Sequence, residues 1–250
     1  MSSWPYPLWL AHRGAGKLAP ENTLAAFRLG AHLGYRAFEC DVKLSRDGEA
    51  FLLHDDTLER TTDGRGSPAE LDWPALARLD AGGWHSPAFA AEPLPRLAQI
   101  ASFCRANGCA LNIEIKPCPG VERLTGEVAA RAAARLWAGA AVPPLLSSFK
   151  PEALHGARAA APDLPRALLL DTLWDGWPEA AAALDVMAVI TNWRLMDAAL
   201  IERLHGRGWR ALVYTVNDAA VAQRLIADGI DGLITDAVDR LGPGERTSAE

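Results

Sequence analysis

The sequence predicts an α/β fold, a TIM-type (β/α)8 barrel with a small insertion after the second strand. Two observations support this prediction. Short apolar runs alternate eight times with longer helical patterns, which is typical of a parallel sheet wrapped by helices. The length of 250 residues, half of them hydrophobic, is the usual size of one such barrel. We therefore interpret residues 1–250 as a single domain.

The strands are predicted from short apolar runs. Strand one covers residues 8–11. Strand two lies in the stretch from Arg36 to His54, where Asp47-Gly48 has the composition of a hairpin turn and residues 50–53 form a short return strand. Strands three to eight are predicted at residues 110–116, 145–147, 167–170, 186–190, 211–215 and 232–234.

Helical patterns separate these strands. Residues 21–33 have apolar side chains at helical spacing and end before Gly34, a common helix stop. Further helices are predicted at residues 120–138, 197–205 and 218–228. We expect the tail from residue 242 to 250 to fray.

Residues 55–95 depart from the alternating pattern. They contain five prolines and four glycines, and only residues 70–79 look helical. A loop of this length is uncommon unless it is functional or disordered, and Trp73, Trp84 and Phe89 argue against disorder. We expect an ordered insertion that caps one mouth of the barrel and limits substrates to small, water-soluble molecules.

Composition narrows the classes of partner and location. A net charge of −6 argues against nucleic-acid binding. The N-terminal residues lack a signal-peptide pattern, and no window approaches the roughly 18 apolar residues of a membrane span, so we expect a cytoplasmic protein without membrane insertion. The oligomeric state stays open. Reduced thiols are expected, because no CxxC spacing occurs among Cys40, Cys104, Cys109 and Cys118.

The second strand carries two acids on one face. Side chains alternate along a strand, so Glu39 and Asp41 point one way while Phe38, Cys40 and Val42 point the other. Burial alone does not explain two carboxylates on an inward face, because their repulsion raises the cost of ionising both. The return strand brings His54 back beside them.

Two neighbouring strands add further polar groups. His12 and Arg13 follow strand one, and the polar residues of strand three, Glu114 and Lys116, share a face with Asn112. In a barrel of this type, catalytic residues lie at the carboxyl ends of the strands and in the loops that follow. We therefore expect these side chains to converge on one site.

Each of these residues also has a plainer structural interpretation. A single histidine is more often structural than catalytic, and Glu114 with Lys116 would make an ordinary surface ion pair. The joint pattern favours a site, because all the acids fall on the inward side of strands whose other side is apolar. Asp55-Asp56 and residues 61–64 are interpreted mainly as turns. Structural roles are expected for the remaining histidines, His32, His85, His155 and His205.

Three carboxylates indicate a hard metal ion. Oxygen ligands suit Mg²⁺ or Ca²⁺, whereas zinc favours histidine or cysteine. The histidines then remain available for proton transfer. With Arg13 and Lys116 beside the metal, the site is suited to an anion whose charge rises during reaction, and phosphoryl oxygens fit best.

Long motifs in the chain resemble those of the glycerophosphodiester phosphodiesterase family. The resemblance covers nearly the whole sequence. It rests on HRGAGKLAPENT from His12, FECDVKLSRDG from Phe38, LLHDDTLERTTDG from Leu52, LNIEIKP from Leu111, VYTVND from Val213 and DGLITD from Asp231.

The resemblance implies a metal-dependent enzyme that cleaves glycerophosphodiesters into glycerol 3-phosphate and an alcohol, through a cyclic phosphate formed by the glycerol 2-hydroxyl. The metal would be Mg²⁺ or Ca²⁺, with Mn²⁺ also in view. Matched residue by residue, the metal ligands are Glu39, Asp41 and Glu114, the acid and base are His12 and His54, the phosphate contacts are Arg13 and Lys116, and the further substrate contacts are Phe149 and Tyr214. Many relatives have tryptophan at the position of Tyr214.

Two alternatives remain beside this hypothesis. One is a phospholipase-type phosphodiesterase on the same fold, which would act on membrane lipids. The other is a pseudoenzyme that binds a phosphate ester without turnover. Loss of a histidine or an acid would favour the pseudoenzyme, and the sequence retains all of them.

Overall fold

The computed structural model describes residues 4–243, and it confirms the predicted barrel. Eight parallel strands follow one another around the sheet, and the first pairs with both the second and the last, which closes the barrel. These are β1 (Trp9–Ala11), β2 (Ala37–Leu44), β4 (Ala110–Ile115), β5 (Leu145–Ser148), β6 (Arg166–Leu170), β7 (Ala188–Asn192), β8 (Arg210–Tyr214) and β9 (Gly232–Thr235). A short antiparallel strand, β3 (Ala50–Leu52), pairs with β2 and makes one further bridge from Phe51 to Arg96.

Helices connect the strands around the outside. They are α1 (Leu24–His32), α2 (Trp73–Leu76), α3 (Leu97–Ala106), α4 (Glu122–Leu136), α5 (Pro151–Ala160), α6 (Trp177–Ala183), α7 (Ala198–Gly206) and α8 (Ala219–Ala227). Short 3₁₀ turns occur at Pro68–Glu70, Pro87–Phe89 and Trp193–Leu195. Among residues 4–243, none of the helices has both the length and the apolar character that crossing a membrane requires.

Local chemistry explains where predicted and observed boundaries differ. Helix α1 begins three residues later than predicted, because Asn22 has a φ of 59° and the Thr23 side chain caps the helix by accepting from the Ala26 N–H. Strand β7 begins at Ala188, two residues later than predicted. The Val186 N–H still donates to the Ala181 carbonyl at the end of α6, so Val186 belongs to the helix exit.

The register between β2 and β4 places the acids together. Asp41 lies beside Glu114, and Glu39 lies beside Asn112. The predicted hairpin after β2 is present, with Gly48 at a φ of 82° in the turn. The inward face of these two strands is therefore polar, while Phe38, Cys40 and Ile113 pack outward against the helices.

An apolar cluster fills much of the rest of the barrel interior. Its buried side chains are Tyr6, Leu10, Ala37, Leu145, Ala167, Leu169, Ala188, Ile190, Leu212 and Ile234. All four cysteines are free thiols, as predicted. Of the tail expected to fray, residues 244–250 lie outside the described part of the chain.

The insertion forms a small core of its own. Only Trp73–Leu76 of the predicted helix at residues 70–79 is α-helical, because Leu71 and Asp72 are extended and the helix starts at Trp73. The core consists of Phe51, Leu53, Leu58, Trp73, Leu76, Ala81 and Leu94. The insertion contacts the segment after β1. His85 Nε2 lies 3.0 Å from the Lys17 carbonyl, and the Ala25 N–H donates to Glu92.

Candidate active site

Three carboxylates from β2 and β4 form an acidic cluster at the carboxyl ends of the strands. Glu39, Asp41 and Glu114 each place one oxygen within 4.8 Å of the others. Glu39 and Asp41 are buried, and 13% of the Glu114 side chain is exposed toward a cavity. Glu39 Oε1 and Asp41 Oδ1 are buried without a hydrogen-bond partner among the described residues. Such oxygens are costly unless a cation binds them, so this donor set fits a hard divalent metal.

The pKa shifts in the cluster also indicate that its carboxylates require positive charge nearby in order to ionise. Burial raises the pKa of Glu39 well above its usual value, and the charges of Asp41 and Glu114 raise it further. Burial and Asp41 raise the pKa of Glu114 to about 7. Burial also acts to raise the pKa of Asp41, but the Arg13 guanidinium together with the other neighbouring cations and the Asn22 hydrogen bond outweighs it, so the pKa is lowered. A divalent cation would favour the ionised form of all three.

His12 stands after β1 and is held by an acid from the other end of the chain. Its Nδ1 lies 2.6 Å from Asp236 Oδ1, and its Nε2 lies 3.7 Å from Glu39 Oε2. Burial acts to raise the pKa of Asp236, but its interactions with His12, Asn217 and Arg13 together outweigh burial, so the pKa is lowered. Asp236 is therefore an ionised acceptor, so the proton lies on Nδ1 and Nε2 faces the acidic cluster.

Arg13 connects three carboxylates. Its backbone N–H donates to Glu39 Oε2 at 3.2 Å, and its Nη1 donates to Glu21 Oε1 at 2.7 Å. Its Nε lies 3.0 Å from Asp41 Oδ2. The residue has a φ of 52°, which turns the chain sharply after β1. Arg13 therefore places positive charge beside the two most buried acids.

His54 follows the β2–β3 hairpin and has two polar partners. Its Nδ1 lies 2.6 Å from Asp55 Oδ1, and its Nε2 lies 3.0 Å from Lys116 Nζ. Lys116 Nζ is also 3.3 Å from Glu114 Oε1. Burial lowers the pKa of His54. In the free protein the imidazole is neutral at pH 7, with its Nε2 accepting from the ammonium group.

A cavity of about 250 Å³ opens above the cluster. All the site residues predicted from the sequence line it except Asp41, which lies beneath. The lining comprises His12, Arg13, Glu39, His54, Asn112, Glu114, Lys116, Phe149, Leu169, Tyr214, Thr215 and Ile234. The Phe149 and Tyr214 rings meet edge to face with centroids 5.6 Å apart, and the Tyr214 hydroxyl donates to the Leu170 carbonyl. These two rings form an aromatic wall of the cavity, and Lys116 Nζ lies 6.0 Å from the centroid of the Phe149 ring.

The sequence profile of the glycerophosphoryl diester phosphodiesterase family matches residues 12–240. The chain belongs to this family. A glycerophosphodiester phosphodiesterase of Caldanaerobacter subterraneus subsp. tengcongensis is 31% identical over 239 residues, which cover 94% of this chain and 96% of the relative. The resemblance stated from the motifs is thus confirmed, as is the assignment to the phosphodiester hydrolases.

Solved structures of other members superimpose closely. A phosphodiesterase of Oleispira antarctica, solved with the product sn-glycerol-3-phosphate, has a TM-score of 0.86 and 32% identity, over 93% of this chain and 94% of that one. A glycerophosphodiester phosphodiesterase of Agrobacterium tumefaciens has a TM-score of 0.79 and 30% identity, over 93% and 97%. The phosphodiesterase barrel is therefore common to all three.

The aromatic residues of the insertion lie away from the residues that line the cavity. Trp73, Trp84 and Phe89 are not among the residues that line the cavity. Trp73 packs on Phe51 inside the core of the insertion, and Trp84 and Phe89 flank His85. Packing within the insertion therefore uses these rings, and they do not line the cavity.

Several residues of this phosphodiesterase site were missed in the sequence. Asp55 was interpreted as a turn residue, yet it holds His54; its position directly after that histidine was the available signal. Asn22 holds Asp41, through Nδ2 to Oδ2 at 2.8 Å and from the Asp41 N–H to Oδ1 at 3.1 Å. Asp236 is the last residue of the DGLITD motif, and that motif was the available signal. The other four histidines, as predicted, do not line the cavity.

Proposed function

We propose that this chain hydrolyses glycerophosphodiesters to sn-glycerol 3-phosphate and an alcohol, with a divalent cation held by Glu39, Asp41 and Glu114. The observation that carries the proposal is a cluster of three carboxylates at the floor of a cavity that two histidines also line, each histidine held at Nδ1 by its own carboxylate. The product bound in the Oleispira antarctica relative supports sn-glycerol 3-phosphate as the shared product.

The donor set favours Mg²⁺ or Ca²⁺, and Mn²⁺ also accepts oxygen ligands. When bound, such an ion neutralises charge on phosphoryl oxygens and lowers the pKa of a hydroxyl group that it contacts. Arg13 and Lys116 extend the positive charge around the phosphoryl group. Arg13 provides a rigid fork of donors, whereas Lys116 provides a movable ammonium that would leave His54 for the substrate.

The two histidines are proposed to transfer the protons. His12, with its proton on Nδ1, offers the Nε2 lone pair as the base for the glycerol 2-hydroxyl. The 2-oxygen forms a bond to phosphorus while the bond from phosphorus to the alcohol oxygen breaks. His54 donates a proton to that leaving oxygen, and the anionic diester beside it favours the protonated imidazole. Water then opens the cyclic phosphate.

The rest of the cavity is proposed to select the substrate. Phe149 and Tyr214 provide an apolar wall for the carbon skeleton, while the charged side holds the phosphate. The insertion at residues 55–95 is proposed to cap this mouth and restrict it to small diesters. Its contacts with Lys17 and Ala25, in the segment after β1, support this position.

One assay tests the reaction and the metal together. Purified protein is incubated with glycerophosphocholine, with and without EDTA, and sn-glycerol 3-phosphate is measured. We expect release without chelator, loss with EDTA and recovery on adding back Mg²⁺, Ca²⁺ or Mn²⁺. Binding without release would identify a pseudoenzyme. Faster cleavage of lysophosphatidylcholine in vesicles would identify a phospholipase-type enzyme.

A modified substrate tests the nucleophile. We expect the analogue that lacks the glycerol 2-hydroxyl to bind but to be cleaved very slowly. Hydrolysis of this deoxy diester at the rate of the natural one would mean that water attacks phosphorus directly, and the cyclic phosphate would have to be abandoned.

A further inference from the structure

Arg60, in the insertion, binds two carboxylates at once. Its Nε and Nη2 donate to the two oxygens of Asp55, at 2.6 and 2.9 Å. Its Nη1 and Nη2 donate to the two oxygens of Glu21, at 2.7 and 2.8 Å. Both contacts are bidentate. A guanidinium has the planar array of donors that this requires, and an ammonium group does not.

Each of these carboxylates also binds a residue of the cavity. Asp55 Oδ1 lies 2.6 Å from His54 Nδ1, and Glu21 Oε1 accepts from Arg13 Nη1 at 2.7 Å. Arg60 therefore connects the segment after β3 with the segment after β1. Its two partners hold residues of the cavity: Asp55 holds His54, and Glu21 holds Arg13.

The charges of the three residues depend on one another. The hydrogen bonds from Arg60 are the largest cause of a strongly lowered pKa of Asp55. Burial acts to raise the pKa of Glu21, but the hydrogen bonds from Arg60 and the charge of Arg13 outweigh it. Without Arg60, the two carboxylates would face each other with less cation between them, and like charges would push Asp55 away from its present rotamer.

We propose that Arg60 is a positioning residue that sets His54 and Arg13 relative to each other. This inference rests on the proposed function, in which those two residues act on the phosphodiester. Arg60 touches neither the cavity nor the cluster, and it acts through Asp55 and Glu21. Through Arg60, the insertion thus contributes to catalysis by fixing the relative positions of His54 and Arg13.

The chain provides a matched control in Arg46. Its Nε and Nη2 donate to the two oxygens of Asp72, at 2.9 and 2.6 Å, in another exposed bidentate pair that involves the insertion. Neither Arg46 nor Asp72 lines the cavity. Replacing Arg46 removes a comparable ion pair without touching the partners of His54 or Arg13.

Kinetics with glycerophosphocholine at saturating metal give the first test. We expect Arg60→Met to lower kcat by about 10²-fold with a smaller change in KM, since misplacement of reacting groups by about 1 Å costs this much. Arg60→Lys should recover little, and millimolar guanidinium chloride should restore part of the activity of Arg60→Ala. Arg46→Met should keep kcat. Equal kcat in Arg60→Met and wild type would overturn the proposal.

A second measurement needs no substrate. The His54 Nδ1 proton, in its short hydrogen bond to Asp55, should give a far-downfield NMR resonance, assigned by its loss in His54→Gln. We expect Arg60→Met and Arg60→Lys to shift or broaden this resonance and Arg46→Met to keep it. An unchanged resonance in Arg60→Lys would refute the inference even if Arg60→Met fails to fold. If wild type shows no diesterase activity, the proposed function fails, while the resonance still decides whether Arg60 positions His54.

Discussion

The two ends of the barrel carry cavities of different size and chemistry. The cavity at the amino end measures about 480 Å³, against about 250 Å³ at the carboxyl end. Yet the larger one is lined by apolar groups and two arginines, without an acid or a histidine among its described lining residues, such as Pro5, Pro7, Arg36, Arg105, Trp137 and Val142. Cavity size therefore does not locate the chemistry in this molecule.

Buried carboxylates at the two ends differ in the same way. Asp231, just before β9, has a partner for each oxygen, since it binds His205 Nε2 at 2.6 Å and Arg210 Nη1 at 3.0 Å. Glu39 and Asp41, at the carboxyl end, each keep one oxygen without a hydrogen-bond partner among the described residues. A buried acid with a partner for each oxygen needs no ligand, whereas an acid with an unpaired buried oxygen is a candidate ligand for a cation.

The largest expected effect is at the acidic cluster. We expect Glu114→Gln to fold and to lose activity by about 10³-fold or more, because an amide carries no charge and a bound cation is worth several kcal/mol in the transition state. The measurement is kcat at saturating Mg²⁺ or Ca²⁺. The control is Asp231→Asn, which should lower the unfolding temperature and leave kcat unchanged. Retained activity with unchanged metal dependence in Glu114→Gln would contradict the ligand assignment.

The two histidines of the cavity should come next. We expect His12→Ala and His54→Ala each to lower kcat by about 10² to 10⁴, the usual contribution of a general acid or base. His205→Ala, at the satisfied Asp231, should cost stability only. If one of the two cavity histidines proves dispensable, the pairing of acid and base proposed here is wrong.

Asp55 should have a smaller effect with a distinctive pH signature. Asp55→Asn should lower kcat by about 10²-fold, because the imidazole loses the acceptor that orients it. The hydrogen bond to Asp55 acts to raise the pKa of His54, so its loss lowers that pKa further. The limb of the pH–rate profile that reports His54 should therefore move to lower pH. Asp56→Asn, which affects the neighbouring pair with Lys43, should leave that limb in place.

The acidic cluster should also reduce stability when no metal is bound. Glu114 titrates near pH 7 in the folded chain and at its ordinary value of 4.5 when unfolded. Between these values the folded state binds more protons, so the free energy of unfolding falls as pH rises, by about 3 kcal/mol at most from this group. Urea unfolding in EDTA at pH 5 and pH 8 measures this. Ca²⁺ or Mg²⁺ should restore stability at pH 8, and Glu114→Gln should flatten the dependence.

The smallest effect is expected in the amino-end cavity. Ala141→Leu adds an apolar side chain to its lining, and we expect kcat within about twofold of wild type and a stability change of about 0.5 kcal/mol or less, as is usual for a surface position. A tenfold loss of kcat would show that this end influences the site, and the contrast between the two ends would then fail.

The sequence by itself determined the barrel and most of the site. Alternation along β2 and β4 was enough to place Glu39, Asp41 and Glu114 on one inward face, because strand parity is a local property that tertiary contacts do not change. The hairpin signal at Asp47-Gly48 likewise brought His54 back to the acids. The ends of the helices were less certain. The positive φ of Asn22 and the cap at Thr23 set the start of α1 three residues later than predicted.

The tertiary structure decided which partners hold the groups that are proposed to be catalytic. Asp236 meets His12 across 224 residues, and Arg60 meets Glu21 across 39. No periodicity encodes these contacts, since they depend on how the barrel closes and how the insertion folds onto the segment after β1. The same holds for the aromatic rings of the insertion. Trp73 packs on Phe51 in the core of the insertion, and its place there depends on how the insertion folds. Local patterns specify which face a side chain takes, and only the folded chain specifies its partner.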